Sequence, residues 1–201
     1  MIVSLNEIEG LALKAARGAG FEWGLAEEIA WAARSLASYD LDVIAALEDM
    51  LVQPWHRRDS SGCPIRLGCH VADAWPAPLP GTVPFIGWPI WLIPFIGAVV
   101  AQSGGPAGIF WGATRIILTP DPPAGVRLHV EGCLLDRCVN PIQIVPVEAS
   151  PANAGRRPHR GERHVKPAAW HRLEQLGTKT YVPASLLSRE AGAGAGLSDN
   201  D

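Results

Sequence analysis

No charged residue stands between Asp73 and Arg115. That stretch contains VPFIGWPIWLIPFIGAVVA, which is long enough to cross a bilayer. It lacks an unbroken run, however: Pro84, Pro89 and Pro94 interrupt it, together with Gly87 and Gly97. A proline inside a helix removes a backbone bond and clashes with the preceding turn, at a cost of about 3 kcal/mol. The run also has no basic flank to set an orientation. It reads as a buried loop followed by a buried helix, with no membrane span.

Other absences narrow the classes further. The start, MIVSLNEIEGLALK, lacks a basic segment followed by a continuous apolar one, so no signal peptide is read and a cytoplasmic location is expected. Only four cysteines occur, and none lie in a C-x2-C pair; in a cytosolic chain they are expected as free thiols. Basic and acidic side chains nearly balance, 17 against 20, for a net charge of −3. That excludes a general nucleic-acid binder. Lysine is rare beside arginine, a compositional bias with no functional reading. With 48% hydrophobic residues in 201, the chain is globular and long enough to bury a core without staples. No internal repeat is present.

Helices are read first. Ser4 to Arg17 opens on a capping box, Ser4 with Glu7, and carries Leu5, Ile8, Leu11, Ala12 and Ala15 on one face. A second helix runs from Trp23 to Ser38, and a third from Leu41 to Val52. Gln53 to Gly81 reads as irregular, with little regular structure, and Trp88 to Gln102 as helical after Pro94. The texture then turns to period two in GIFWG, RIILTP, VRLHVEG and IQIVPVE, bounded by Gly or Pro, which predicts an antiparallel meander. RHV reads as a short edge strand and KPAAWHRLEQLG as a helix with Pro167 near its start. The expected fold class is α+β. It comprises a helical part (1–52), an irregular proline-rich region with a buried apolar helix (53–106), and an antiparallel sheet with a C-terminal helix and glycine-rich tail (107–201), all in one compact domain.

Several groups of residues carry candidate chemistry. Cys63, Cys69, His70, Cys133 and Cys138 offer thiolates and an imidazole for tetrahedral zinc, but their spacings, C-x5-C-H and C-x4-C, are not those of a zinc knuckle. Free cysteines behaving as small hydrophobes are the competing reading. Cys63 is the better placed as a nucleophile, on condition that a base or helix terminus lowers its pKa. His70 and Asp73, three apart, would share a helix face as a base and its orienting carboxylate do; no partner serine is identifiable. The basic run GRRPHRGERHVK holds Arg156, Arg157, Arg160, Arg163 and Lys166 with His159 and His164. It suits phosphate or an acidic partner, against the plainer reading of a solvated loop. Trp88, Trp91 and Trp111 are expected in the core, and Trp55 and Trp75 beside a pocket.

The end of the chain, TYVPASLLSREAGAGAGLSDND, combines Tyr181, Ser188, Arg189, Gly192, Gly194 and Gly196 with Asp199, Asn200 and Asp201. GAGAG is not a dinucleotide loop, because no helix follows it, so no dinucleotide cofactor is expected. Its backbone N–H groups suit an anion-binding nest beside Arg189. The acidic end offers oxygen ligands to a divalent metal such as Mg²⁺ or Ca²⁺.

The stretches SLNEIEGLALKAARGAGFEWGLAEEIA, CPIRLG, LIPFIGAVVAQSGGP and the whole tail resemble an uncharacterised bacterial family, known only as a domain of unknown function. The resemblance implies that the tail belongs to the family's identity; it carries no reaction, cofactor or catalytic residue. Three functions are therefore weighed. The first is a small-molecule enzyme or enzyme subunit acting on a polar anionic metabolite. The second is a non-catalytic accessory protein whose tail docks into a partner enzyme or another copy in a homo-oligomer. The third is a zinc-stabilised binding module.

Overall fold

The computed structural model describes residues 1–53, 62–75, 83, 86–123, 125–148 and 155–180. The chain opens with a two-residue strand, β1 (Ile2–Val3), and three helices: α1 (Leu5–Gly18), α2 (Trp23–Ser38) and α3 (Val43–Val52). The capping box forms as read. The Ser4 hydroxyl accepts from the Glu7 N–H at 3.2 Å, and the Glu7 carboxylate accepts from the Ser4 N–H at 2.7 Å. Two of the orphan donors of the first turn are thereby satisfied.

A fourth helix, α4 (Pro64–Ala74), corrects the expectation that 53–81 holds little regular structure. Pro64 sits in its first turn, where a missing N–H costs nothing. After β2 (Ile86–Gly87) and a 3₁₀ turn at Pro89–Leu92 comes α5 (Ile93–Ser103), closed by Gly104 in a left-handed conformation. Pro89 opens the 3₁₀ turn and Pro94 lies in the first turn of α5, so these two prolines start helical structure and do not break it. Among the described residues no helix is long and apolar enough to cross a membrane.

The sheet comprises β3 (Ala107–Trp111), β4 (Thr114–Asp121), β5 (Gly125–Glu131) and β7 (Gln143–Pro146), in the order β5-β4-β3-β7 and antiparallel throughout. The expected meander holds only for β3, β4 and β5; β7 returns to the far edge and pairs with β3. Just before it, β6 (Cys138–Val139) pairs with β2, and the Val83–Ile142 bridge keeps the same register. One strip of chain, 138–146, thus serves two pairings in succession, which closes off the meander. Helix α5 packs on β3, β4 and β5 from one side and on α2 and α4 from the other. This buried middle layer explains why 86–100 carries no charge: Ile93, Phe95, Ile96 and Val100 have no water to meet.

The last described elements fold back onto the first. β8 (Arg163–His164) pairs with β1, and α6 (Pro167–Thr178) packs on α1 and α3. The short strand read at RHV is present, and its partner is the start of the chain. Contact between α1 and α6 is close enough that a Cβ at Gly18 would lie 1.7 Å from the Leu176 carbonyl oxygen. Gly18→Ala is expected to lower stability by about 1–3 kcal/mol, read from the denaturant midpoint. Gly10→Ala in the same helix meets nothing within 4 Å among the described residues and is expected to be neutral or stabilising by up to about 1 kcal/mol. Equal effects would contradict the packing.

Tyr39, buried at the end of α2, donates to the Val126 carbonyl at 2.8 Å and joins the helices to β5. Burial, helped by the charge of Asp121, pushes its phenol from 10 up to about 12. The folded value lies above the unfolded one, so the protonated phenol stabilises the fold below pH 10, and that contribution disappears as pH rises towards 12. Tyr39→Phe should therefore show a shallower loss of melting temperature across this alkaline window than the parent chain; an unchanged slope would refute the assignment.

Candidate functional site

The thiol candidates come first. Cys63 precedes α4 and is buried; burial pushes its thiol up, against the N–H groups of Arg66 and Ile65 that favour the thiolate. Cys69 is pushed up to about 11, by burial first and then by the charges of Glu28 and Asp73. Neither has the lowered pKa that a nucleophile needs. Cys133 and Cys138 are exposed, and all four cysteines are free. Among the described residues no three His, Cys, Asp or Glu side chains are placed to hold a metal ion, so Cys63, Cys69, His70, Cys133 and Cys138 do not form the zinc cage weighed above. His70 and Asp73 do lie on one helix, but both are exposed and no hydrogen bond or ion pair joins them among the described residues. Tyr181, Ser188, Arg189, Gly192, Gly194, Gly196, Asp199, Asn200 and Asp201 lie outside the described residues, as does Trp55.

The basic run is where the structure departs most from a solvated loop. Arg163 is 4% exposed. Its Nε donates to the Ala37 carbonyl, its Nη1 to Gly161 (2.7 Å) and Glu162 (2.9 Å), and its Nη2 to His159 (2.8 Å) and Ser38 (3.2 Å). The cation sits at the carbonyl end of α2, where the helix dipole favours it. The His159 N–H also donates to the Ser38 carbonyl, at 2.9 Å. Segment 158–161 is thereby pinned against the last turn of α2. Arg157 and Lys166 are spent on Asp121 (2.7 Å) and Asp42 (3.2 Å).

That pinning builds a cleft of about 280 Å³, lined by Leu5, Trp31, Arg34, Ser35, Ser38, Pro158, His159 and Arg160. Arg34 gives its Nη1 to Glu9 (2.8 Å) and to Asn6; its Nε and Nη2 take no partner among the described residues. Arg160 is exposed and makes no ion pair among the described residues. The Trp31 indole is fixed from behind by Phe95, edge to face at 5.3 Å between ring centres. Phe95 in turn lies where a Cβ at Gly68 would be, 2.3 Å from its Cδ2.

On its other side Trp31 lines a second cleft, of about 500 Å³, with Glu27, Glu28, Cys69, Asp73 and Phe95. Trp31 was not singled out by sequence reasoning. The available signal was the spacing: Trp31, Arg34, Ser35 and Ser38 fall at i, i+3, i+4 and i+7, one stripe of α2 turned away from the Ile29–Ala33–Leu36 core face.

The thiol environments predict a labelling order. At neutral pH iodoacetamide should modify Cys133 and Cys138 in the folded chain, leave Cys63 intact and react slowly with Cys69, faster as pH rises towards 11. Peptide mass spectrometry reads the order, and rapid labelling of Cys63 would overturn it.

No curated protein and no solved structure matches the chain. Residues 3–72, from β1 into the last turn of α4, match the family described as a protein of unknown function (DUF3726). This stretch contains Trp31 and Arg34 and stops short of His159, Arg160 and the tail. An uncharacterised family is thus what the helical part of this chain is similar to.

Proposed function

We propose that the protein binds a small organic anion in the cleft between the last turns of α2 and segment 158–160, acting as a small-molecule enzyme or enzyme subunit. One observation carries this reading: Arg34, His159 and Arg160 converge beside a fixed indole around about 280 Å³ of space. A concave site with an aromatic wall and a few convergent polar groups is the usual form of a small-molecule site. Guanidinium donors suit a planar anion.

A second reading, the accessory protein, is favoured by Trp23. It is 62% exposed, and the Arg17 guanidinium stands 4.9 Å from its ring centre. Exposed tryptophan with arginine is the composition of a protein-binding hot spot.

A thermal-shift screen of small organic acids separates the two. A ligand that binds only the folded state raises apparent stability by about 2.7 kcal/mol at a hundred times its Kd. Stabilisation by at least one acid is expected, with affinity at least about tenfold weaker in Arg160→Ala, an exposed position whose loss leaves the fold intact. No stabilisation by any acid, together with co-purification of a larger protein that Trp23→Ala abolishes, would replace this reading with the accessory one.

A further inference from the structure

Resting on the anion-cleft reading, we infer that the ligand is a ring-bearing monocarboxylate and not a phosphate ester, because the cleft presents one guanidinium without an ion pair among the described residues, beside an aromatic wall at the carbonyl end of a helix.

The charge count points there first. Arg34 is already partnered by Glu9 at 2.8 Å, which leaves Arg160 as the cleft's one arginine without an ion pair among the described residues. One guanidinium matches one carboxylate in a bidentate contact. A phosphate monoester carries nearly two charges at neutral pH and would bring more than this side of the cleft neutralises.

The backbone argues the same way. Phosphate sites draw on helix N-termini, where free N–H groups and the positive end of the dipole converge. This cleft opens on Ser35 and Ser38, in the last turn of α2, and so has no helix N-terminus of α2 to offer a phosphate. The Ser38 hydroxyl is spent as a donor to the Ser35 carbonyl at 2.6 Å, so it offers a phosphate no free proton.

The far side of the indole adds a third constraint. Glu27, Glu28 and Asp73 line the neighbouring cleft and have no basic partner among the described residues. After burial, the charges of Glu28 and Asp73 disfavour a thiolate at Cys69, and the same acidic side of Trp31 disfavours a second negative charge on a ligand. Leu5, Pro158 and the Trp31 indole form the apolar remainder of the wall. An indole held in place by Phe95 gives an aromatic ring a fixed partner to pack against.

The experiment is titration calorimetry on the full chain at low ionic strength, with benzoate, phenyl phosphate, acetate and inorganic phosphate as probes. Benzoate is expected to bind at least about tenfold more tightly than each of the other three. Arg160→Gln should weaken benzoate by about tenfold or more, and the Glu27→Gln, Glu28→Gln double variant should narrow the gap between benzoate and phenyl phosphate. Phenyl phosphate or inorganic phosphate binding as well as benzoate, with loss in Arg160→Gln, overturns the monocarboxylate while leaving the anion cleft standing. Acetate matching benzoate overturns the ring. Benzoate binding that Arg160→Gln does not change places the ligand elsewhere and overturns the inference. Binding by none of the four, together with no response to the wider acid screen, removes both readings.

Discussion

The guanidinium of Arg163 is the interaction on which the arrangement of the helical half depends. Burying a cation is costly unless it is paired and hydrogen-bonded; Arg163 is 4% exposed, with five backbone carbonyls receiving its donors and the Asp40 carboxylate 4.0 Å from its Nε. Hydrogen bonds to a charged group are worth about 1.5–3 kcal/mol each, and every one of these joins parts of the chain that are distant or irregular. Ala37 and Ser38 end α2, residues 159–162 have no regular structure of their own, and Arg163 itself lies in the ribbon with β1. A loop rich in glycine and charge is thereby held in one place without a core beneath it.

The cleft follows from that restraint and from a second one. On one wall the loop brings His159 and Arg160 to α2. On the other, the absence of a side chain at Gly68 lets Phe95 of α5 approach α4, and the edge of Phe95 holds Trp31. The indole divides α2 into an acidic stretch, Glu27 and Glu28, and a stretch with Arg34 and two serines. The acidic side chains and Arg34 thus line different clefts on the two sides of one tryptophan.

How much of this was legible varied with the length scale of the signal. Helices α1 and α2 were readable to within a residue or so, since a capping box and a 3.6-residue apolar period are local properties. The strands of the sheet were readable for the same reason, but their order was not: β7 joins β3 across more than thirty residues, and no local pattern encodes which edge a returning strand takes. Helix α4 was hidden because Pro64, Gly68 and two cysteines resemble loop composition, whereas Pro64 starts the helix and Gly68 serves a neighbour's ring. The candidate site was half visible. In the basic run, read as a solvated loop against a phosphate or acidic-partner site, the sequence does not sort the members into the buried clamp Arg163, the ion-paired Arg157 and Lys166, and Arg160, which has no ion pair among the described residues.

Periodicity, capping and turn residues by themselves determined the α+β class and the bounds of most elements, because each depends on neighbours within a turn or a strand. Only the tertiary structure decided which of several similar arginines goes inside, which tryptophan becomes the wall of a cleft, and which strand closes the sheet. Those outcomes depend on partners supplied from far along the chain: the carbonyls of Ala37 and Ser38 for Arg163, Phe95 for Trp31, and β3 for β7. A side chain's chemistry is set by what surrounds it, and for these residues the surroundings exist only once the chain has folded.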